Sequence, residues 1–187
     1  NITKQIKDGF MEFKKPKSKE LFKKVKRLYK TAFPRSERKP IWLLKKNVKS
    51  GLSEISAVLD NGEFVGLVIT AFYKDIALIE YLAIEKIHRS KGYGGKILTA
   101  LKEKYKDYRI ILEIEDPDAP CPNREERLRR RSFYLKNGMT ELDYKVRIFG
   151  EVMRILTFSG NITFTEYVEI YENSIGKRFA EKIKQTN

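Results

Sequence analysis

Residues 75–84, DIALIEYLAI, form the segment that most constrains the fold, because apolar side chains fall on both of its faces. Strands of this composition lie in the centre of a sheet with both faces covered. A glycine-rich segment, HRSKGYGG (88–95), follows, and after it Ile97, Leu98 and Leu101 recur at helical spacing. The order of strand, glycine loop and helix therefore predicts a layered fold, with the loop at the end of a buried strand.

Helical and strand patterns alternate along the rest of the chain. Helices are predicted over 18–33, where Ser18 is the N-cap and Pro34 ends the helix, and over 36–49, which stops at Gly51. The other predicted elements are strands over 53–59, 63–74, 108–115, 142–149 and 152–158, and helices over 124–137 and from Thr163 onward. This order predicts an α/β or α+β sandwich in one continuous unit.

The chain carries a large positive charge. Its 187 residues include 39 lysines and arginines against 25 aspartates and glutamates, which gives a formal charge of +14. Such an excess is typical of proteins that bind an anion, whether nucleic acid, a membrane surface or a phosphorylated small molecule. The single cysteine and single histidine exclude an internal disulfide and a zinc site of the usual Cys and His kind. We therefore expect no metal.

No segment of the sequence predicts a membrane span or a targeting signal. No apolar run approaches the roughly 20 residues that cross a bilayer, and residues 1–10 lack the hydrophobic centre of a signal peptide. We expect a cytoplasmic protein with no membrane partner.

Three phosphate-binding patterns compete for RSKGYGG (89–95). The dinucleotide pattern G-x-G-x-x-G fails because Ile97 stands where its third glycine would fall, and the nucleotide P-loop has no match. What remains is R-x-x-G-x-G at the start of a helix, where backbone N–H groups and the helix N-terminus favour a diphosphate. Arg89, Lys91 and Lys96 add full charges. A solvated turn before a surface helix is the alternative for this loop taken alone.

Two blocks of the sequence resemble the GNAT superfamily of N-acetyltransferases. IEYLAIEKIHRSKGYGGKIL (79–98) is similar to its coenzyme A signature, a central strand followed by Arg/Gln-x-x-Gly-x-Gly/Ala. FYLKNGM (133–139) is similar to the later Phe-Tyr-x-x-x-Gly-Phe segment, with Met139 in place of the aromatic residue. The resemblance implies a mixed, mostly antiparallel sheet of about seven strands with helices on both faces.

The resemblance also implies a domain organisation. Residues 11–157 are expected to form the N-acetyltransferase domain, and residues 158–187 a helical extension packed on it. Residues 1–10 are interpreted as a flexible extension or a cloning remnant, because MEFKKPKSKE from Met11 reads as a natural start.

Acetyl-CoA is the co-substrate that the resemblance implies, with an amine as acceptor in either a monomer or a homodimer. In such enzymes the end of the central strand pairs with the pantetheine arm, and the amides of the glycine loop wrap the pyrophosphate. The matching positions here are Leu82, Ala83, Ile84, Arg89, Ser90, Lys91, Gly92, Tyr93, Gly94, Gly95, Lys96 and, at a longer spacing from Phe133 than is usual in the family, Asn123.

Direct acetyl transfer needs a base, because a lysine-like amine is mostly protonated at pH 7 and exposing its lone pair costs roughly 4 to 5 kcal/mol. Glu80 is the first candidate, acting directly or through water, since a carboxylate on an apolar strand face is expensive without a purpose. Its predicted neighbours on that face are Ile76, Leu78, Leu82 and Ile84. Glu113 is the second candidate. The alternative for Glu80 is a pair with an arginine, or contact with solvent, where strands splay.

Tyr134 matches the family tyrosine that protonates the leaving thiolate, a role that suits a hydroxyl of pKa near 10. The alternative is a tyrosine that only packs beside Phe133 on an amphipathic helix. Cys121 lies in DAPCPN, and His88, the only histidine, lies in the phosphate loop. Neither is therefore expected to support nucleophilic catalysis.

The arginine-rich helix has two readings. Glu125 and Glu126 stand four residues before Arg129 and Arg130, so ion pairs on the helix surface are expected there. Arg127 and Arg131 are expected to be free for solvent, a coenzyme phosphate or an acidic acceptor.

The segment FPRSERKP supplies candidate acceptor contacts, Arg35, Glu37 and Arg38. A different class of function is a non-catalytic nucleic-acid- or ribosome-binding module on the same fold. Nucleic acid is the less favoured partner, because no exposed-looking aromatic residues interleave with the basic ones to provide stacking platforms.

Overall fold

One mixed sheet of eight strands organises the computed structural model, which describes residues 11–148 and 150–186. The strands are β1 (Met11–Lys14), β2 (Ser53–Asp60), β3 (Glu63–Tyr73), β4 (Ile76–Ile84), β5 (Arg109–Glu115), β6 (Thr140–Ile148), β7 (Glu151–Thr157) and β8 (Lys184–Thr186). The helices are α1 (Lys19–Ala32), α2 (Ile41–Lys49), α3 (Tyr93–Lys104), α4 (Arg124–Lys136), α5 (Phe164–Ser174) and α6 (Lys177–Ala180), with a 3-10 turn at Lys86–His88. The strand order is β1-β2-β3-β4-β5-β7-β6-β8.

Helices cover both faces of this sheet. On one face α3 and α4 pack over the central strands through residues such as Leu98 and Tyr134. On the other face α1 and α2 contribute Leu28 and Leu44, and α5 contributes Ile170. The predicted architecture is confirmed, with eight strands in place of about seven. β1 and β8 have only four and three residues, too few to show an alternating pattern in the sequence.

β4 and β5 form the parallel pair of the sheet, joined through α3. Ile76–Ile79 of β4 pair with Arg109–Leu112 of β5, and every other strand pair between described residues is antiparallel. β4 continues to Ile84 and β5 to Glu115 without further pairing to one another. The two strands therefore part, and the end of β4 has an open backbone edge.

A β-bulge at Glu80 reverses the facing of the end of β4. Consecutive residues of β3 pair with Ile79 and Tyr81, so Glu80 is the extra residue. The prediction that Glu80 shares one face with four apolar neighbours was wrong for two of them, because strict alternation does not survive a bulge. Ile76 and Leu78 face α5, whereas Leu82 and Ile84 pack on the α3 side.

The start of α1 was predicted correctly from the sequence, and the start of α2 was not. The side chain of Ser18 accepts the Leu21 N–H at 3.1 Å, so the predicted N-cap of α1 is confirmed. α2 begins at Ile41 and not at residue 36. Pro40 is its N-cap, with ψ of 139°. Lys39 precedes this proline, and a residue in that position disfavours helical backbone geometry. Residues 36–40 are therefore a connection between the helices.

The C-terminal segment continues the same sheet and core. Thr163 and Glu166 form the expected capping box at the start of α5, and β8 pairs with β6. Residues 1–10, interpreted above as a flexible extension or a cloning remnant, lie outside the described residues. Within the described ranges, no helix combines the length and the apolar character needed to span a membrane.

Candidate active site

Two adjoining cavities lie where β4 and β5 part, with volumes of about 900 Å³ and about 100 Å³. Phe33, Glu37, Glu115 and Arg130 line both of them. Tyr134 also lines the larger cavity. Ten of the twelve residues predicted to bind coenzyme A lie in its lining, namely Leu82, Ala83, Ile84, Arg89, Ser90, Gly92, Tyr93, Gly94, Gly95 and Asn123. The strand splay therefore brings together residues as far apart in the sequence as Leu82 and Asn123.

The glycine loop borders the larger cavity with an uncommon backbone. Ser90 and Gly92 have φ of 60° and 79°, and Gly92 is the N-cap of α3. Left-handed residues in a short loop turn N–H groups toward one side, and the start of α3 adds partial positive charge. A Cβ on Gly94 would lie 2.7 Å from Cζ of Phe133. Glycine at that position therefore lets α4 approach α3.

The basic residues of this loop take different positions. Nε of Arg89 donates to the carbonyl of Ile84 at 3.1 Å, which ties the loop to the end of β4. Lys91 and Lys96 are exposed and lie outside the cavity lining. Nζ of Lys96 lies 5.9 Å from the ring centroid of Tyr93. Arg89 therefore lies at the cavity, whereas Lys91 and Lys96 lie outside its lining.

Glu80 lies in the smaller cavity, and its Oε1 pairs with Nζ of Lys39. The two side chains are only 4% and 5% exposed. Nζ of Lys39 also donates to Oγ of Ser174 at 3.3 Å. Oε2 of Glu80 is buried and has no hydrogen-bond partner among the described residues. The carboxylate is therefore held through one oxygen by a lysine, where an arginine pair had been the alternative.

Glu113, the second candidate base, accepts hydrogen bonds from two tyrosines. The hydroxyls of Tyr167 and Tyr171 donate to its Oε1 at 2.5 and 2.7 Å. Burial raises the pKa of Glu113 more than these hydrogen bonds and the charge of Lys39 lower it, and the charge of Glu80 raises it further. Glu113 therefore holds its proton to a higher pH than an ordinary glutamate does.

Carboxylates also line the region where the two cavities meet. Glu37 and Glu115 line both cavities, and Glu151 lines the smaller one. Burial raises the pKa of Glu37, and the neighbouring charge of Glu115 raises it further against the opposing effect of Arg130. Two carboxylates and one cation, Arg130, therefore line both cavities.

Tyr134 lies on α4 at the wall of the larger cavity. It is 5% exposed and belongs to the core between α3 and the sheet. Its ring packs edge to face against Phe133, with 5.1 Å between the centroids. The ring of Tyr134 therefore packs beside Phe133, as the alternative interpretation expected. The residue also lines the larger cavity.

The expectation for the arginines of α4 was wrong. Arg127, expected to be free, is 6% exposed, and its Nη2 lies 2.8 Å from Glu115 and 3.2 Å from Glu151. Arg131 is bound by Glu141, with 3.0 Å between Nη2 and Oε2. The reason is that this side of α4 meets the sheet, whose carboxylates reach both guanidinium groups.

The prediction of ion pairs on the surface of α4 was also wrong. No ion pair joins Glu125 to Arg129, or Glu126 to Arg130, in the part of the chain that the structure describes. Glu126 and Arg130 instead line the larger cavity. Asn123, the predicted coenzyme contact before this helix, accepts from Nε of Arg127 at 3.0 Å through Oδ1.

The connection between α1 and α2 contributes to the cleft, although not as expected. Of the three acceptor candidates, Glu37 lines the cleft. Arg35 is exposed outside both linings, and Nη1 of Arg38 donates to the carbonyl of Lys30 at 3.1 Å. Sequence reasoning missed Lys39, because nothing in the sequence marks which of 39 basic residues is buried.

The remaining reactive side chains lie elsewhere. Nε2 of His88 lies 3.3 Å from Oε1 of Glu63, outside both linings, and Cys121 is also outside them. Among the described residues, no group of three or more His, Cys, Asp or Glu is placed to hold a metal ion.

Sequence comparison connects this cleft with known proteins. The family model described as Acetyltransferase (GNAT) family matches residues 22–138, more than half of the chain. YjbC of Bacillus subtilis (strain 168), a protein named as an acetyltransferase, is 35% identical over 63 residues, which are 34% of this chain and 32% of that protein. The chain therefore matches about a third of the length of YjbC.

Solved structures share the fold. A protein named as an acetyltransferase of the GNAT family from Bacteroides thetaiotaomicron superposes with a TM-score of 0.73 at 19% identity, over 91% of this chain and 98% of the other. An aminoglycoside 6'-N-acetyltransferase complexed with coenzyme A gives 0.63 at 14% identity, over 82% and 99%. A spermidine N-acetyltransferase from Vibrio cholerae in complex with CoA and spermine gives 0.60 at 14% identity, over 84% and 98%.

Proposed function

Because this chain belongs to the GNAT acetyltransferase family, we propose that it transfers the acetyl group of acetyl-CoA to a primary amine in the cleft between β4 and β5. One observation carries the proposal. The larger cavity gathers ten of the twelve residues predicted to bind coenzyme A, together with Tyr134, and it adjoins the smaller cavity that contains Glu80. A donor side and an acceptor side therefore meet where the strands part.

The larger cavity fits coenzyme A through its backbone first. β4 has no β5 partner beyond Ile79, so its free edge can pair with the amides of a pantetheine arm. The loop from Ser90 to Gly95 at the start of α3 offers N–H groups and partial positive charge to a pyrophosphate. Arg89, Lys91 and Lys96 add full charges. When bound, acetyl-CoA supplies an activated acetyl thioester.

Glu80 is the base in this proposal, accepting the proton of the incoming ammonium directly or through one water. Lys39 holds Oε1, which fixes the carboxylate, while Oε2 has no hydrogen-bond partner among the described residues. Proton transfer to a positioned, poorly solvated carboxylate is the kind of general base catalysis that contributes about 10²- to 10⁴-fold to a rate. Glu113 is less suited, because its Oε1 is occupied by two tyrosine hydroxyls.

Tyr134 is the acid in this proposal. It lines the larger cavity and its ring is held by the core, so the hydroxyl is positioned without further ordering. A phenol hydroxyl within reach of the sulfur can donate its proton to the leaving thiolate, which gives the thiol of coenzyme A, and solvent then reprotonates the phenolate.

The acceptor that this cleft favours is an amine that arrives as a cation. Glu37 and Glu115 line both cavities and Glu151 lines the smaller one. Lys39 and Arg130 are the cations in the lining of the smaller cavity, so carboxylates remain in excess there even though Arg127 pairs with Glu115 and Glu151. A cleft with an excess of one charge concentrates ligands of the opposite charge. Aminoglycosides and spermidine, the substrates named for two of the similar structures, are amines of this kind.

A thiol-release assay over a panel of amines tests the proposal. The panel should hold a polyamine, an amino sugar, a lysine peptide and a matched amine with a carboxylate tail, and we expect turnover with cationic acceptors and little with the last. Calorimetry with acetyl-CoA and with single-stranded RNA separates the enzyme from a nucleic-acid module. An absence of micromolar acetyl-CoA binding, with tight RNA binding, would overturn the enzymatic function.

A further inference from the structure

A second strand edge is open at the beginning of β2. β1 pairs only with Ala57–Asp60 of β2, so Ser53–Ser56 have β3 as their one strand neighbour among the described elements. A cavity of about 670 Å³ lies against this edge, between the start of α1 and the end of α2. We name it the lysine cavity, because Lys15, Lys17, Lys19 and Lys45 all line it.

The lysine cavity is separate from the cleft between β4 and β5, where acetyl transfer is proposed. β2 and β4 both run antiparallel to β3, so the beginning of β2 and the end of β4 lie at opposite ends of the sheet. The lining of the lysine cavity shares no residue with either cavity of the cleft. A ligand in one is therefore not excluded by a ligand in the other.

Positive charge in the lysine cavity is only partly compensated. None of its four lysines forms an ion pair with a carboxylate in the described ranges. Glu54, the one carboxylate of the lining, lies 2.7 Å from Nζ of Lys104 and accepts the Ser56 hydroxyl at 2.6 Å. Lys104 and Ser56 thus hold this carboxylate, and the charge of Lys15 also acts on it. An anion would meet the other three ammonium groups without an internal competitor.

Most of the remaining wall of the cavity is apolar. Its apolar residues are Pro16, Phe22, Val48, Ile55 and Phe72, and Ser18, Gly51 and Ser53 complete the lining. Nζ of Lys45 lies 4.7 Å from the ring centroid of Phe22, so positive charge and an aromatic surface stand side by side. Val48 is 38% exposed, which leaves apolar surface that a ligand can cover.

Ser53 is an independent indication of a ligand. The residue is 6% exposed and lines the cavity. Its buried hydroxyl has no hydrogen-bond partner among the described residues. A buried hydroxyl without a partner is destabilising unless another group satisfies it.

We propose that the lysine cavity binds a small amphiphilic anion, an apolar chain or ring that carries one carboxylate or phosphate group. The apolar body lies against the wall that contains Phe22 and Phe72, and the anionic group meets the lysines. Binding at this site does not depend on acetyl-CoA or on turnover.

Calorimetry on the full chain saturated with coenzyme A tests this site, with decanoate and decyl phosphate as probes. We expect one probe molecule per chain, and the tighter of the two identifies the anionic group. Decyltrimethylammonium and inorganic phosphate, which each lack one of the two features, should bind at least about tenfold more weakly. The double variant Lys17→Glu/Lys45→Glu should weaken the preferred probe about tenfold or more. Lys106→Glu, a charge reversal at another exposed lysine, should leave it unchanged.

A second variant keeps the test independent of charge. Ser53→Ala should weaken the preferred probe while leaving the melting temperature of the free protein unchanged or raised, because it removes an unpaired hydroxyl. Equal binding of decanoate and decyltrimethylammonium would show apolar adsorption only and overturn the proposal. So would competition between the probe and coenzyme A, or unchanged binding by the double lysine variant. None of these results bears on acetyl transfer.

Discussion

The cleft between β4 and β5 and the lysine cavity each lie beside a strand that lacks a neighbour over part of its length, yet they arrange charge in opposite ways. In the cleft the carboxylates have internal partners: Lys39 holds Glu80 and Arg127 holds Glu115. In the lysine cavity none of the four lysines forms an ion pair among the described residues. A site of chemistry must hold each group in one geometry, whereas a site that only attracts an ion can leave its charges mobile.

The largest effect is expected from Glu80→Gln, which removes the proposed base and leaves its surroundings nearly unchanged in shape. Turnover should fall about 10²- to 10³-fold at saturating acetyl-CoA, because the ammonium of the acceptor loses its proton acceptor. Acetyl-CoA affinity by calorimetry and decanoate affinity at the lysine cavity should both be unchanged. This result would sharpen the contrast between a fixed catalytic group and an attracting one.

The same substitution also leaves Lys39 buried without its carboxylate, which is destabilising in its own right. The double variant Lys39→Met/Glu80→Gln removes both charges and should recover stability in thermal unfolding. Its turnover should remain as low as that of Glu80→Gln. If turnover recovers together with stability, Glu80 serves only to anchor Lys39, and the cleft loses its proposed base.

Tyr134→Phe should have the next largest effect. Turnover should fall about ten- to a hundredfold, since the thiolate leaves without a positioned proton donor but is itself a fair leaving group. The ring and its contact with Phe133 stay, so acetyl-CoA affinity should be preserved. Phe133→Leu is the matched control, because it alters the packing and keeps the hydroxyl. A larger loss of turnover in the control would show that the ring matters and the hydroxyl does not.

A pair of glycine variants compares the two cavities directly. Gly92 and Gly51 have φ of 79° and 74°, and a Cβ on either would meet no atom within 4 Å. An alanine at each costs on the order of 1 kcal/mol of backbone strain without a clash. We expect Gly92→Ala to weaken acetyl-CoA several-fold and leave decanoate unaffected, and Gly51→Ala to do the reverse. Calorimetry with both ligands on both variants measures this, and identical losses for either ligand would mean that the two cavities are not independent.

The strand, glycine loop and helix at the centre of the fold could be predicted because their signals are local. Buried apolar residues on both faces of 75–84, and R-x-x-G-x-G before a helix, depend on residues that are adjacent in the chain. Helix N-caps share this property. The predictions of Ser18 as the N-cap of α1 and of Thr163 with Glu166 as the capping box of α5 were correct for that reason.

What the sequence could not supply was long-range contact. The bulge at Glu80 depends on how β3 pairs with β4, and alternation within one strand does not reveal it. The partner of Glu80 is Lys39, 41 residues away. Arg127 looked free because its partners Glu115 and Glu151 lie on other strands. The lysine cavity was not predicted, because its lysines are spread over two helices and a loop in a chain with many other lysines.

The smallest effect concerns Glu113, whose pKa lies above that of an ordinary glutamate. Its pKa is raised by burial, so the folded chain retains a proton that the unfolded chain has released. Stability should therefore decline as pH rises above the ordinary glutamate value of about 4.3, by up to about 1.4 kcal/mol per pH unit until the folded group also ionises. Glu113→Gln keeps an acceptor oxygen for the two tyrosines and should lack this decline in urea unfolding.

Glu141 provides the opposite case for the same measurement. Hydrogen bonds from Arg131 and the charge of Arg154 together outweigh burial and lower its pKa, so its contribution should be present above the ordinary value and lost on acidification. Glu141→Gln should thus cost stability at neutral pH and little at low pH. Parallel pH profiles for the two variants would mean that Glu113 is ionised in the fold, and that its tyrosines hold a carboxylate of the same kind as Glu80.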